Sequence, residues 1–73
     1  MDNFMRGILS RVLSEELANQ VYWSQKELDE FDIPMVDRES NIKNIKKFMQ
    51  DNDIEYRSDF YYDKLGQLRR ELK

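Results

Sequence analysis

Trp23-Ser24-Gln25-Lys26-Glu27-Leu28-Asp29-Glu30-Phe31 is the stretch on which the fold turns. Ser24 and Glu27 stand three apart, as in a capping box, where each side chain satisfies an unpaired backbone N–H at a helix start. Trp23 precedes the cap and Leu28 follows four residues after it, where a hydrophobic staple places its two members. The stretch therefore predicts a short helix over residues 25–31, separate from what precedes it. That helix ends before Pro34, because the residue preceding a proline avoids the helical region.

Upstream, residues 3–22 read as a first helix. Phe4, Met5, Ile8, Leu9, Val12, Leu13, Leu17 and Val21 form an apolar stripe at helical spacing, and its expected use is core packing. Asp2 or Asn3 can cap its start. Gly7 weakens an interior turn by up to about 1 kcal/mol relative to alanine. Downstream, residues 32–36 are a connector whose Ile33, Met35 and Val36 are expected to tuck beneath it. Asp37 caps a third helix over residues 38–50. In that helix Ile42, Ile45, Phe48 and Met49 lie on one face and are expected to be buried, while Lys43, Lys46 and Lys47 fall mostly on the other. Asp51-Asn52-Asp53 stops it, and Ile54 and Tyr56 pin the next loop. Ser58 is the expected N-cap of a fourth helix through residue 72, with Tyr61, Leu65, Leu68 and Leu72 buried. Gly66 offers close helix approach. One of Phe60 and Tyr62 must point away from the buried stripe. No strand pattern, repeat or linker interrupts this order. The expected fold is all-α, a compact four-helix bundle with one short helix (residues 3–22, 25–31, 38–50 and 58–72), in a single helical domain over residues 1–73.

Composition narrows the chemistry. A chain of 73 residues buries only about 60% of the surface its unfolded form exposes, so its stability is marginal. With no cysteine and no histidine, it lacks the common nucleophile–base pairs and the commonest metal ligands. Gly7 and Gly66 are isolated and form no phosphate loop. Asp29, Glu30 and Asp32 match no calcium-loop spacing and read as a solvated acidic turn. The expectation is a non-enzyme with no catalytic residue, no cofactor and no metal. No apolar run approaches the roughly 18 residues that span a membrane, and no secretory signal is visible. A soluble cytoplasmic monomer is expected, with Met1 opening a complete small reading frame.

The net charge of −3 conceals an asymmetry: residues 1–41 hold nine acids and four bases, residues 42–73 six acids and eight bases. A basic side of this kind can hold a phosphate backbone locally. Lys43, Lys46 and Lys47, Arg57 in the following loop, and Arg69 and Arg70 with Lys73 near the C-terminus are the candidate nucleic-acid-binding residues. Tyr56, Phe60, Tyr61 and Tyr62 lie among them, and rings beside bases suit unpaired strands, whose bases stack on them. A helix-turn-helix reading of the second and third helices fits poorly, since the turn is too long and holds a proline. Gln25, Leu28 and Phe31 match the spacing of peptides that dock on sliding clamps, but Leu28 and Phe31 also suit a capped core helix, which is the preferred reading.

The usage of Asn, Lys, Ile, Asp and Tyr resembles that of small accessory proteins from T4-like phages. The helix order, long, short, medium and medium with the last two basic, resembles the HRDC-type nucleic-acid-binding module of RecQ-family helicases. That resemblance implies weak, structure-selective binding of single-stranded or branched DNA, in support of a helicase, recombination or repair enzyme, and for a phage-encoded protein a place in the host cytoplasm. The alternative is a protein-binding adapter or inhibitor of an enzyme partner, using its acidic half or an apolar groove, with no direct nucleic-acid contact.

Overall fold

The computed structural model describes residues 1–72 and shows three helices among them, with no strand: α1 (Asn3–Phe31), α2 (Arg38–Asp51) and α3 (Ser58–Glu71). The expected four-helix bundle is not formed, because the first two expected helices are one. At 1.5 Å per residue the 29 residues of α1 span about 43 Å, which accounts for the long dimension of a 41 × 25 × 13 Å slab.

The capping box at Ser24 is not made. No glycine or proline lies between Gly7 and Pro34 to break the helix, and side-chain pairs bridge the expected boundary. Gln25 Nε2 donates to Asp29 at 2.8 Å, and Lys26 pairs with Glu30 at 3.0 Å. Glu27 is committed elsewhere. Its buried carboxylate accepts from the Met35 backbone N–H at 3.1 Å and from Arg38 Nη2 at 2.8 Å. Arg38 also reaches Gln20 Oε1 at 3.2 Å, which ties the start of α2 to α1 at two levels. Arg38 holds the Glu27 carboxyl below the usual carboxylate range, with the Met35 N–H adding to the effect.

Helix ends follow the local chemistry. Asp2 caps α1 by accepting from the Met5 N–H at 2.8 Å, and Asp37 caps α2 through the Ser40 N–H at 3.0 Å. α1 stops at Asp32, which adopts φ 61° while its N–H returns to the Leu28 carbonyl. The left-handed conformation favours glycine, and a short polar side chain such as aspartate is among the better substitutes. Asp53 does the same after α2, at φ 54°. Ser58 does not cap α3. It is the first helical residue, and Arg57 stands at the cap without a side-chain bond.

α2 runs antiparallel to α1, from Glu27 back toward Leu13 and Leu17. α3 runs parallel to α1: the Arg57 N–H donates to Ser14 Oγ at 2.9 Å near its start, and Tyr22 Oη donates to the Leu72 carbonyl at 3.0 Å just past its end. Each packs on α1, and their backbones do not approach each other. The core cluster is Leu17, Met49 and Ile54, with Leu9, Leu13, Ile42, Ile45 and Tyr61 packed against it. Leu65 and Leu68 complete the buried apolar set with Ala18.

Several expected core positions are not covered. The α1 stripe splits: Leu9, Leu13 and Leu17 face the core, while Phe4 (76% exposed), Met5, Ile8 and Val12 face water. The deepest face of α1 instead carries Ser10, Ser14 and Ala18, small side chains that let neighbouring backbone come close. Ser10 Oγ donates to the Glu55 carbonyl, and Ser14 takes the Arg57 N–H. Phe48 is 44% exposed because only one narrow face of α2 meets α1. Leu28, Phe31, Ile33, Met35 and Val36 are exposed at the α1–α2 corner, and Leu72 is partly so, since no separate short helix stands over them. A Cβ built on Gly66 would meet only the Arg70 side chain, so that glycine serves no close helix approach.

Candidate binding groove

Because α2 and α3 lie on the same long helix without touching along their backbones, a groove of about 520 Å³ remains between them. Leu17 and Val21 of α1 form its floor. Ile42, Lys46, Met49 and Gln50 line it from α2, and Tyr61 and Tyr62 from α3. Tyr56 and Ile54 enter from the intervening loop. The volume falls in the range of small-ligand sites, about 300–1,000 Å³.

The tyrosines form a connected edge. Tyr56 and Tyr61 meet edge-on with ring centroids 5.9 Å apart, and Tyr61 meets Tyr62 at 4.9 Å. Burial raises the Tyr56 and Tyr61 hydroxyls above the ordinary tyrosine pKa, because the phenolate is disfavoured away from water. Tyr62 is the outward ring of the pair identified from sequence, at 65% exposure, whereas Phe60 is half-buried. Phe60 lies under two guanidinium groups, those of Arg11 and Arg57, each 4.8 Å from its centroid.

The six candidate basic residues fall in different places. Lys46 lines the groove and has no ion-pair partner among the described residues. Lys47 pairs with Asp51 at 2.9 Å, and Lys43 stands 4.0 Å from Glu39, both on the exposed side of α2. Arg57 is engaged by Asp59 through two bonds, at 3.0 and 2.8 Å. Arg69 borders a shallow depression with Tyr22, Lys26 and Asp29. Arg70 folds back over Gly66. Arg57 and Arg69 are separated by most of α3, about 18 Å at 1.5 Å per residue. Of the six, the structure brings Lys46 into the groove lining with the tyrosines, sets Lys43 and Lys47 together on the exposed side of α2, and leaves Arg57, Arg69 and Arg70 along α3. Lys73 lies outside the described residues.

Among the described residues no three Asp or Glu side chains come together as metal ligands, and every buried side-chain polar atom has a hydrogen-bond partner. No helix among them is long and apolar enough to cross a membrane. Sequence reasoning offered an apolar groove in general terms but neither its place nor its lining, and it missed the serines that receive the α2–α3 loop. Ser10 and Ser14, four apart on a helix, were legible as a small-residue face, but nothing local says which backbone they receive. No family model, curated protein or solved structure matches this chain.

Proposed function

We propose that the protein is a non-catalytic binding module, an adapter or inhibitor that receives an apolar segment of a protein partner between α2 and α3. The observation that carries this reading is the groove: an apolar floor of Leu17 and Val21, apolar walls and a tyrosine edge, with one lysine at its side. A helix-in-groove contact uses such a surface, with anchors at i, i+3 or i+4 and i+7. Tyrosine supplies large contact area with little side-chain entropy to lose, which favours it at interfaces. The Lys46 ammonium selects for an acidic residue beside the partner's apolar anchors.

A second reading, weak binding of single-stranded or branched DNA, rests on one observation: Lys46 lies in the same groove as Tyr56, Tyr61 and Tyr62. An unpaired base stacked on a ring, with its phosphate at the lysine, would use that juxtaposition.

One experiment separates the two. Helical peptides selected from a displayed library are titrated into the 15N-labelled protein, alongside an oligothymidine. The adapter reading expects peptide-induced shifts at Val21, Ile42, Lys46 and Tyr61, lost in Val21→Lys and Tyr62→Lys. Peptide shifts confined to other surfaces would overturn it. Salt-sensitive oligonucleotide shifts at Lys46 and Tyr62, with none from peptides, would transfer the groove to the second reading.

A further inference from the structure

The groove is one part of a longer seam. On α1, Leu17, Val21, Ser24 and Leu28 follow one another at spacings of four, three and four, the a/d pattern of a helix that packs along another helix. Leu17 and Val21 form the floor of the groove. Ser24 and Leu28 line a second depression, of about 400 Å³, with Met35, Val36 and Asp37 of the α1–α2 corner. From Leu17 to Leu28 the line runs about 16 Å, three turns. α2 is held to one side of it, through Gln20 and Glu27, and α3 to the other, through Ser14 and Tyr22. Val21 and Leu28 stay 36% and 41% exposed between them.

Most charges beside the seam are already matched within the chain. Lys26 pairs with Glu30, Arg38 with Glu27, and Lys43 stands 4.0 Å from Glu39. Arg69 shares its depression with Asp29, so these two offset each other there. Lys46 at the groove and Asp37 at the corner have no ion-pair partner among the described residues. They stand nine residues apart along α2, about 13 Å. We infer that one amphipathic α-helix of another protein lies along this seam as the fourth member of a bundle, with an acidic side chain opposite Lys46 and a basic one opposite Asp37. The inference rests on the groove reading above and extends it to the corner.

Area and backbone chemistry both favour a helix along the whole seam over a short segment in the groove. A half-exposed large side chain shows roughly 80 Å². Val21, Tyr56 and Tyr62 of the groove would bury about 500 Å² over both partners, half of the roughly 1,000 Å² that a specific interface needs. With Leu28, Met35 and Val36 the seam reaches about that figure. An irregular segment would leave backbone N–H and C=O groups unpaired against the apolar floor, whereas a helix satisfies them internally.

The test uses the full chain. Displayed peptides on a helical frame about three heptads long, apolar at a and d and varied elsewhere, are selected on it, and the best binder is titrated into the 15N-labelled protein. Shifts are expected to run from Tyr62 and Val21 through Ser24 and Leu28 to Val36. Leu28→Lys and, separately, Val36→Lys should each weaken binding at least about tenfold, the loss of one anchor. Their helicity by circular dichroism should stay unchanged, because both side chains lie outside the core. Asp37→Asn, which keeps the α2 cap, should weaken binding about two- to fivefold. Lys46→Glu should weaken it as well, and a lysine in place of the peptide's facing acid should restore it. Shifts confined to the groove, with Leu28→Lys and Val36→Lys without effect, overturn the seam and leave the groove reading standing. A selected helix that shifts neither region overturns both, and a selection that yields no binder overturns the seam. Sedimentation of the chain alone completes the test: a dimer that is lost in Leu28→Lys would overturn the outside helix in favour of a second copy.

Discussion

α1 has two stretches of opposite fate, and the barer one is the richer in apolar residues. In residues 10–27 the covered positions are Ser10, Ser14, Leu17, Ala18 and Glu27, of which two are apolar. At Phe4, Met5, Ile8 and Val12 large apolar side chains are exposed, while Leu9 between them packs against the core. The difference lies in what is opposite. The covered stretch faces α2, α3 and their loop, and the backbone brought there needs short side chains that make room or supply hydroxyls. The four exposed positions lie outside the faces of α1 that α2, α3 and their loop cover. Burial on this helix therefore follows the supply of partners, and hydropathy alone misassigns both stretches.

The contrast can be broken from either side. Leu17→Ala should have the largest effect, a loss of about 2–5 kcal/mol through lost burial and a cavity. A domain of this size holds only about 4–11 kcal/mol in total, so its urea midpoint should fall by a large fraction.

Glu27→Gln should cost less and should also change the response to acid. The folded-state pKa of Glu27 lies below the ordinary 4.5, with the Arg38 hydrogen bond as the leading cause. A lowered folded pKa means stability that is present above the unfolded value and is lost as pH falls through the folded one. Urea unfolding between pH 6 and pH 3 should show a steeper loss in the wild type than in Glu27→Gln. Equal slopes would remove Glu27 as the acid-sensitive link of the α1–α2 corner.

Ser14→Ala leaves the Arg57 N–H without its acceptor and should cost about 1–3 kcal/mol, read as a fall in melting temperature. On the bare side, Gly7→Ala should raise stability by up to about 1 kcal/mol, because a Cβ there meets nothing within 4 Å. Helicity at 222 nm should rise with it. Phe4→Ser, measured in dilute solution, should stay within about 0.5 kcal/mol of the wild type. A large loss there would show that the arm has an intramolecular partner.

Much of the fold was legible in local chemistry. The caps at Asp2 and Asp37, the stop before Pro34, the break at residues 51–53 and the burial of Met49, Ile54, Leu65 and Leu68 all follow from side chains acting within a few residues. The Ser24–Glu27 signal misled because a capping box and an unbroken helix use the same residues. Only a carboxylate's partner tells them apart, and that partner, Arg38, sits eleven residues away. The candidate site was legible in part. The lysines and tyrosines could be named, but not that Lys46 alone would lie with the tyrosines in one groove.

By itself the sequence determined the helical class, most helix ends and the absence of histidine and cysteine chemistry, because propensity, capping and composition act over a few bonds. Tertiary structure alone decided that three helices form where four were expected, and that α2 and α3 flank α1 with a gap between them. It also decided which half of the α1 stripe is covered. Those outcomes depend on pairs such as Glu27 with Arg38 and Ser14 with Arg57, whose geometry exists only once the chain has closed on itself.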